Sequence, residues 1–284
     1  MLRILGMRVI AFCLAFLMGC ARTPAGGPRA VAVSDSFPAF VDQREQEMGR
    51  QIHQAIVSSF RVYTEPRVVE YMSDLGHSIA GAAPRRGLNY QFTILYDPRV
   101  YATEAPGGYV YVTTGFLNFL QNEAELSALL AQEIALLQFQ DRRFSKSKQV
   151  LRRVAQGGAV VAPFFGPFGS LAATGLVLLN AFSESREPNP SEKIERADRM
   201  ALRYLAETGQ DPQGHLDLLS RLLNPDPAWV PYLHDYLMSH PVSMERLQRS
   251  LREFETLPLE GKSFNVNREH FLEMTHGVRE IYQG

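Results

Sequence analysis

Between Asn122 and Asp141 the chain reads NEAELSALLAQEIALLQFQD, and from Ala128 to Leu137 every residue except Gln132 and Glu133 is Ala, Leu or Ile. Apolar side chains therefore wrap the whole circumference of a helix of this sequence, which predicts an interior element with other structure on every side. An ionised carboxylate is costly in such surroundings unless it is paired or put to work. Any fold for this chain has to be built around that helix, and it has to account for Glu133.

The covering elements can be read from their periods. Asp42 with Glu45 has a capping-box pattern, and Met48, Ile52, Ile56 and Phe60 follow at four-residue spacing, so a first helix is expected there. Pro66 suits the first turn of a second helix, with Val68, Met72, Leu75 and Ile79 on one face. Residues 90–96 alternate as a strand. Pro106-Gly107-Gly108 reads as a turn into a second strand, Tyr109 to Val112. After the interior helix, Ser191 is placed to cap a helix running through Thr208, on which Ile194, Asp198, Ala201 and Leu205 share one face. A second carboxylate thus points inward. Further helices are expected around 212–223 and 230–257, the latter interrupted at Ser239-His240-Pro241, and a charged tail follows at 259–284.

Two stretches stand apart from this domain, which is expected over 41–258. Arg3 and Arg8 precede an apolar run from Val9 to Met18 that is too short to span a bilayer, and it ends in Leu-Met-Gly-Cys. Residues 1–19 therefore read as a secretory signal peptide. The small residue before Cys20 resembles the lipobox of bacterial lipoproteins, in which cleavage leaves the cysteine as the lipid-modified first residue. Ala21 follows it rather than the Asp that would retain a Gram-negative lipoprotein at the inner membrane. The resemblance implies an envelope protein on the periplasmic face of the outer membrane, its partner there being the membrane itself. Residues 20–40, rich in Gly, Pro and small residues, suit a flexible tether. The second stretch, Val154 to Ser183, has no charged residue and is broken by Pro163, Pro167 and several glycines, so it reads as two short apolar pieces rather than one spanning helix.

Cleavage removes Cys13 with the signal, leaving no thiol pair for a disulfide, and it takes 29 basic residues to 27 against 30 acidic. A formal charge of −3 spread through the chain excludes a nucleic-acid partner.

Six stretches in order, REQEMGRQI, YMSDLGHSI, APGGYVYVTTGFL, NEAELSALLAQEIAL, ERADRMALRYLAETGQDP and SHPVSMERL, resemble the Ste24-type (CAAX prenyl protease-like) zinc metallopeptidase family, especially its secreted bacterial, BepA-like branch. The resemblance covers roughly residues 43–257. It implies an α+β, mainly helical, zincin-like metallopeptidase domain with a small β-sheet and an active-site-type helix. In that family an HExxH sequence places two histidines on zinc and a glutamate beside the metal-bound water, and a later helix supplies a third ligand.

The chain departs from the pattern at those very positions. The histidines fall at Gln132 and Leu136, the glutamate at Glu133, and the third ligand, four residues before Asp198, at Ile194. Glu195 is one residue off, about 100° around the helix. The seven histidines include no pair three or four apart. Tyr101-Ala102-Thr103 also stands where the family has an Asn-Ala-Phe type sequence before its Pro-Gly-Gly. No cofactor is expected on this reading. Glu133 becomes a vestigial general base, with Gln132 as donor to Asp198 in a cleft also lined by Leu136, Ile194 and His240, the last from a Ser-His-Pro motif that the family places over its cleft. The resemblance also implies that extended polypeptide is held against an edge strand. The candidate is Gly108, Tyr109, Val110, Tyr111 and Val112.

The expectation is a lipid-anchored pseudopeptidase that binds extended polypeptides in envelope quality control or outer-membrane assembly. Two readings remain beside it: an active zinc endopeptidase using His240, Glu133 and Asp198 as ligands, and a structural adaptor whose cleft is filled by the Val154 to Ser183 segment.

Overall fold

A computed structural model of the chain describes residues 43–85, 87–139, 190–264 and 266–282. The signal, Cys20, the tether, Asp42 and the apolar stretch 154–183 lie outside the described residues.

The first helices, α1 (Gln43–Ser59) and α2 (Pro66–Ala80), follow the apolar spacing of the sequence. Met48, Ile52 and Ile56 of α1 are buried, as are Val68, Met72, Leu75 and Ile79 of α2. At the start of α2, Pro66 gives up an amide the helix would not have used, and the Glu65 carboxylate accepts from the backbone N–H groups of Arg67 and Val68. The capping partner expected for Glu45, Asp42, lies outside the described residues. The Glu45 carboxylate turns inward to Arg85, 2.6 Å away, in an ion pair with both side chains buried.

Three strands follow: β1 (Gln91–Leu95), β2 (Ala102–Ala105) and β3 (Tyr109–Thr113), in the order β1-β3-β2. β3 pairs parallel with β1 and antiparallel with β2. The β2–β3 turn needs Gly107 and Gly108, at φ +84° and +106°, and a Cβ on Gly108 would meet the Asn89 carbonyl oxygen at 2.7 Å.

This order corrects the expected polypeptide-binding strand. Gly108 to Val112 lead into and form the central strand, hydrogen-bonded on both sides and buried throughout, so none of its backbone is open to a peptide. The outer edge of β1 is partly occupied, since Tyr63 N–H donates to Ile94 O and Tyr96 N–H to Arg61 O. Among the described residues β2 is the strand without a partner on its outer side.

A short helix, α3 (Thr114–Phe119), leads into α4 (Glu123–Gln138), the interior helix. All sixteen of its residues are buried. It is enclosed by α2, by β2 and β3, by α5 (Pro190–Thr208) and by α6 (Gln213–Leu223). Then come α7 (Val230–Ser239) and α8 (Met244–Phe254), separated at the Ser-His-Pro break as the sequence indicates.

The tail is not an appendage. Its helices α9 (Arg268–Met274) and α10 (His276–Glu280) put Phe271 and Val278, both fully buried, into the same apolar core as α4. The expected boundary at 258 is therefore corrected, because the last helices complete the core. The result is a mainly helical α+β domain around one buried helix. No helix among the described residues is long and apolar enough to cross a membrane.

Candidate active site

Helix α4 begins at Asn122, whose side chain accepts from Glu125 N–H at 2.9 Å, and three turns later it carries Gln132 and Glu133 into the centre of the domain. Glu133 has no exposed surface. Its neighbours come from four separate parts of the chain. Glu104 reaches it from β2, Lys193 approaches from α5, His240 follows α7, and Arg246 of α8 adds a more distant charge. The His240 Nε2 atom is 3.4 Å from Glu133 Oε1, and Lys193 Nζ is 3.5 Å from Glu104 Oε1.

Burial pushes the Glu133 carboxyl well above its ordinary range, and the like charge of Glu104 adds to this, while Lys193 and Arg246 pull the other way. The two largest effects therefore favour the protonated form of Glu133. Among the described residues neither of its oxygens accepts a hydrogen bond, whereas a protonated carboxyl can share its proton with Glu104. His240 is neutral for a matching reason. Burial lowers it to about 3, and Arg246 and Lys193 reinforce the shift. Its ring lies nearly flat on Tyr236, with centroids 4.4 Å apart, and its Nδ1 is 3.0 Å from Ser239 Oγ.

A second buried cluster lies beside the first. Asp198, on the inner face of α5 with Ile194, Ala201 and Leu205, receives Arg246 Nε and Nη2 at 2.8 Å each. Arg246 also donates to the Pro241 carbonyl at 3.0 Å, and Ser243 Oγ caps α8 by accepting Arg246 N–H. His215 Nε2, from α6, is 3.5 Å from Asp198. Burial lowers His215 to about 4, against the pull of Asp198.

This arrangement corrects the expected partner of Asp198. Gln132 does not donate to it, since the guanidinium occupies both carboxylate oxygens and Gln132 Nε2 has no hydrogen-bond partner among the described residues. Arg is the stronger competitor because its planar fork matches a carboxylate at two points. Leu136 and Ile194 are both buried. Glu195 points away toward Arg199 and Arg249, as the helical angle requires. Glu104, Lys193, His215 and Tyr236 carry no functional signal in the sequence. Each stands in a segment whose local pattern says only strand, amphipathic helix or core.

The profile of peptidase family M48 matches residues 66–254, two-thirds of the chain. The chain belongs to peptidase family M48. It is 24% identical over 201 residues to the "Putative beta-barrel assembly-enhancing protease" of Vibrio cholerae serotype O1, over 69% of this chain and 41% of that protein. It is 23% identical over 219 residues to the beta-barrel assembly-enhancing protease of Yersinia pestis, over 73% and 43%. The Escherichia coli K12 protein of that name is 22% identical over 213 residues, over 72% and 42%. The chain thus spans about two-fifths of the length of these relatives.

For an M48 domain the implied metal is zinc, which takes nitrogen, sulfur or carboxylate ligands in a tetrahedral set. The donors here do not fit it. Helix α4 offers an amide at 132 and an alkyl chain at 136, and α5 offers an alkyl chain at 194. No group of three His, Cys, Asp or Glu side chains among the described residues is disposed to hold a metal ion. The rearranged set of His240, Glu133 and Asp198 is not assembled either, because Asp198 is bound at both oxygens by Arg246.

Among the described residues no strand pairs with the outer side of β2, whose end residues Ala102 and Ala105 are buried and whose Thr103 and Glu104 are partly exposed. Tyr101 O accepts Thr113 N–H, so alternation along the antiparallel pair directs the N–H and C=O groups of Ala102 and Glu104 away from β3. That edge adjoins α4 and passes directly beside Glu133.

Proposed function

We propose that this M48 domain is a pseudopeptidase of the bacterial cell envelope, which binds extended polypeptide along the outer edge of β2 without hydrolysing it. A zinc peptidase relies on its metal to lower the pKa of a water and to polarise the peptide carbonyl, and the described residues of this pocket offer no donor set to hold one. The observation that carries the reading is the set of side chains around the fully buried Glu133: the positions that would ligate a metal hold an amide at Gln132 and alkyl chains at Leu136 and Ile194, while burial and the nearby Glu104 push the Glu133 carboxyl toward its protonated form, the wrong one for a general base. The β2 edge supports the binding half of the proposal, because backbone hydrogen bonds along a strand are indifferent to the side chains of the bound segment. The likeness to beta-barrel assembly-enhancing proteases supports unfolded outer-membrane polypeptides as the class bound. Lipidation at Cys20 would hold the domain at the membrane where such chains arrive.

The test is to incubate the domain with a fluorescent unfolded β-barrel polypeptide and added zinc, following both anisotropy and chain length. Binding with the polypeptide left intact is expected. Cleavage that a chelator abolishes, or one retained zinc per chain after dialysis, would overturn the proposal. Replacing Cys20→Ser should move the protein from the membrane fraction to the soluble fraction.

A further inference from the structure

Two carboxyl groups, Glu104 and Glu133, meet in one buried place, and most of the nearby charges are already committed. Asp198 and Arg246 neutralise each other, and His240 is uncharged. Among the described residues the cation paired with Glu104 is Lys193, whose charge also acts on Glu133. Its Nζ is 3.5 Å from Glu104 Oε1, and the two side chains are 15% and 8% exposed. Lys193 is the residue immediately before Ile194, where the zinc peptidases that the chain resembles carry their third ligand. It therefore brings its charge from the helix that would otherwise bring a metal-binding carboxylate.

We propose that the Lys193 ammonium is the resident cation of this pocket, joining α5 to β2 through Glu104 and excluding a divalent metal ion by charge as well as by the loss of ligands. An ammonium is a compact point charge that can sit against a carboxylate without the coordination geometry a metal demands. One ammonium matches one carboxylate. Burial lessens the need for a second counter-charge by favouring the protonated form of Glu133. A metal ion entering beside Lys193 would meet a like charge at close range in a poorly solvated site.

This inference rests on the native chain holding no zinc, and the experiment separates the two claims. Zinc is titrated into the native chain, into a variant with Gln132→His, Leu136→His and Ile194→Glu, and into the same variant carrying Lys193→Met. The native chain is expected to take none. The triple variant should bind zinc about tenfold or more weakly than the version without Lys193, as expected for removing a like charge from a partly buried site. One zinc per native chain would overturn both the proposed function and this inference, whereas equal affinities in the two variants would overturn this inference alone. Should the restored variants fail to fold, a thermal double-mutant cycle in the native background decides. Lys193→Met is expected to lower the melting midpoint and Glu104→Gln to recover most of the loss. Additive effects would sink the proposal.

Discussion

Arg246 and Asp198 form a two-point pair at 2.8 Å, joining the end of the Ser-His-Pro segment to the centre of α5, with both side chains almost wholly removed from solvent. The same guanidinium holds the Pro241 carbonyl at 3.0 Å, so the turn that carries His240 over Glu133 is fixed from the same point. The placement of His240 and the burial of Asp198 thus have one physical cause.

Removing the guanidinium should therefore cost far more than an ordinary surface pair. Arg246→Ala leaves a buried carboxylate without compensation, and a loss of roughly 3–5 kcal/mol is expected. Denaturant midpoints measure it. Arg246→Lys should recover only part, because an ammonium cannot contact both oxygens and the Pro241 carbonyl together. The exposed pair Arg67–Glu273 is the control, and Arg67→Ala should change stability by less than about 1 kcal/mol.

How much of this was legible depended on whether a residue's role was local. The all-round apolar surface of α4 identified the interior helix directly, and four-residue spacing placed α1 and α2. β2 escaped because Ala-Thr-Glu-Ala is short and has no alternation of large apolar residues, and without it β3 looked like an edge. Asp198 could be read as inward, but its partner lies 48 residues further on, and no spacing rule selects Arg246 over Gln132. Lys193 lies on an amphipathic helix where a lysine ordinarily faces solvent. Only the arrival of Glu104 from β2 turns it toward the pocket.

Acid should destabilise the domain through its two buried imidazoles. Folded, His215 and His240 titrate at about 4 and about 3, against an ordinary value of 6.5. Below 6.5 the unfolded chain takes up protons that the folded chain refuses, so stability falls as pH drops from there toward the folded values. For each imidazole, a tenfold difference in proton affinity between the two states corresponds to about 1.4 kcal/mol. Urea midpoints against pH should show this decline, and His215→Gln with His240→Gln should flatten it. An unchanged acid slope in the double variant would contradict the assignment.

The C-terminal helices should behave as core. Phe271 is fully buried in the same apolar cluster as the residues of α4, so Phe271→Ala should cost roughly 3–5 kcal/mol. Removal of residues 262–284 should lower the melting midpoint at least as much. A truncated domain that melts at the native temperature would restore the boundary at 258.

Glu133→Gln gives the opposite outcomes for a peptidase and for the protein proposed here. In an enzyme that relies on this carboxylate, the substitution abolishes turnover. In this domain Glu133 is a buried acid held above its ordinary 4.5, so the folded state retains a proton that the unfolded state releases. That proton contributes stability in acid, and the contribution is lost as pH rises from 4.5 through the raised folded value. A glutamine is neutral at every pH and nearly the same shape, so the variant should match the native domain near about pH 4 and exceed it in stability at about pH 8. Polypeptide binding should be unaffected, because the proposed site is the backbone of β2 and not this side chain. A variant less stable than the native domain at about pH 8 would show that Glu133 is ionised and paired in the folded state. The neutral-acid account of the pocket would then fail.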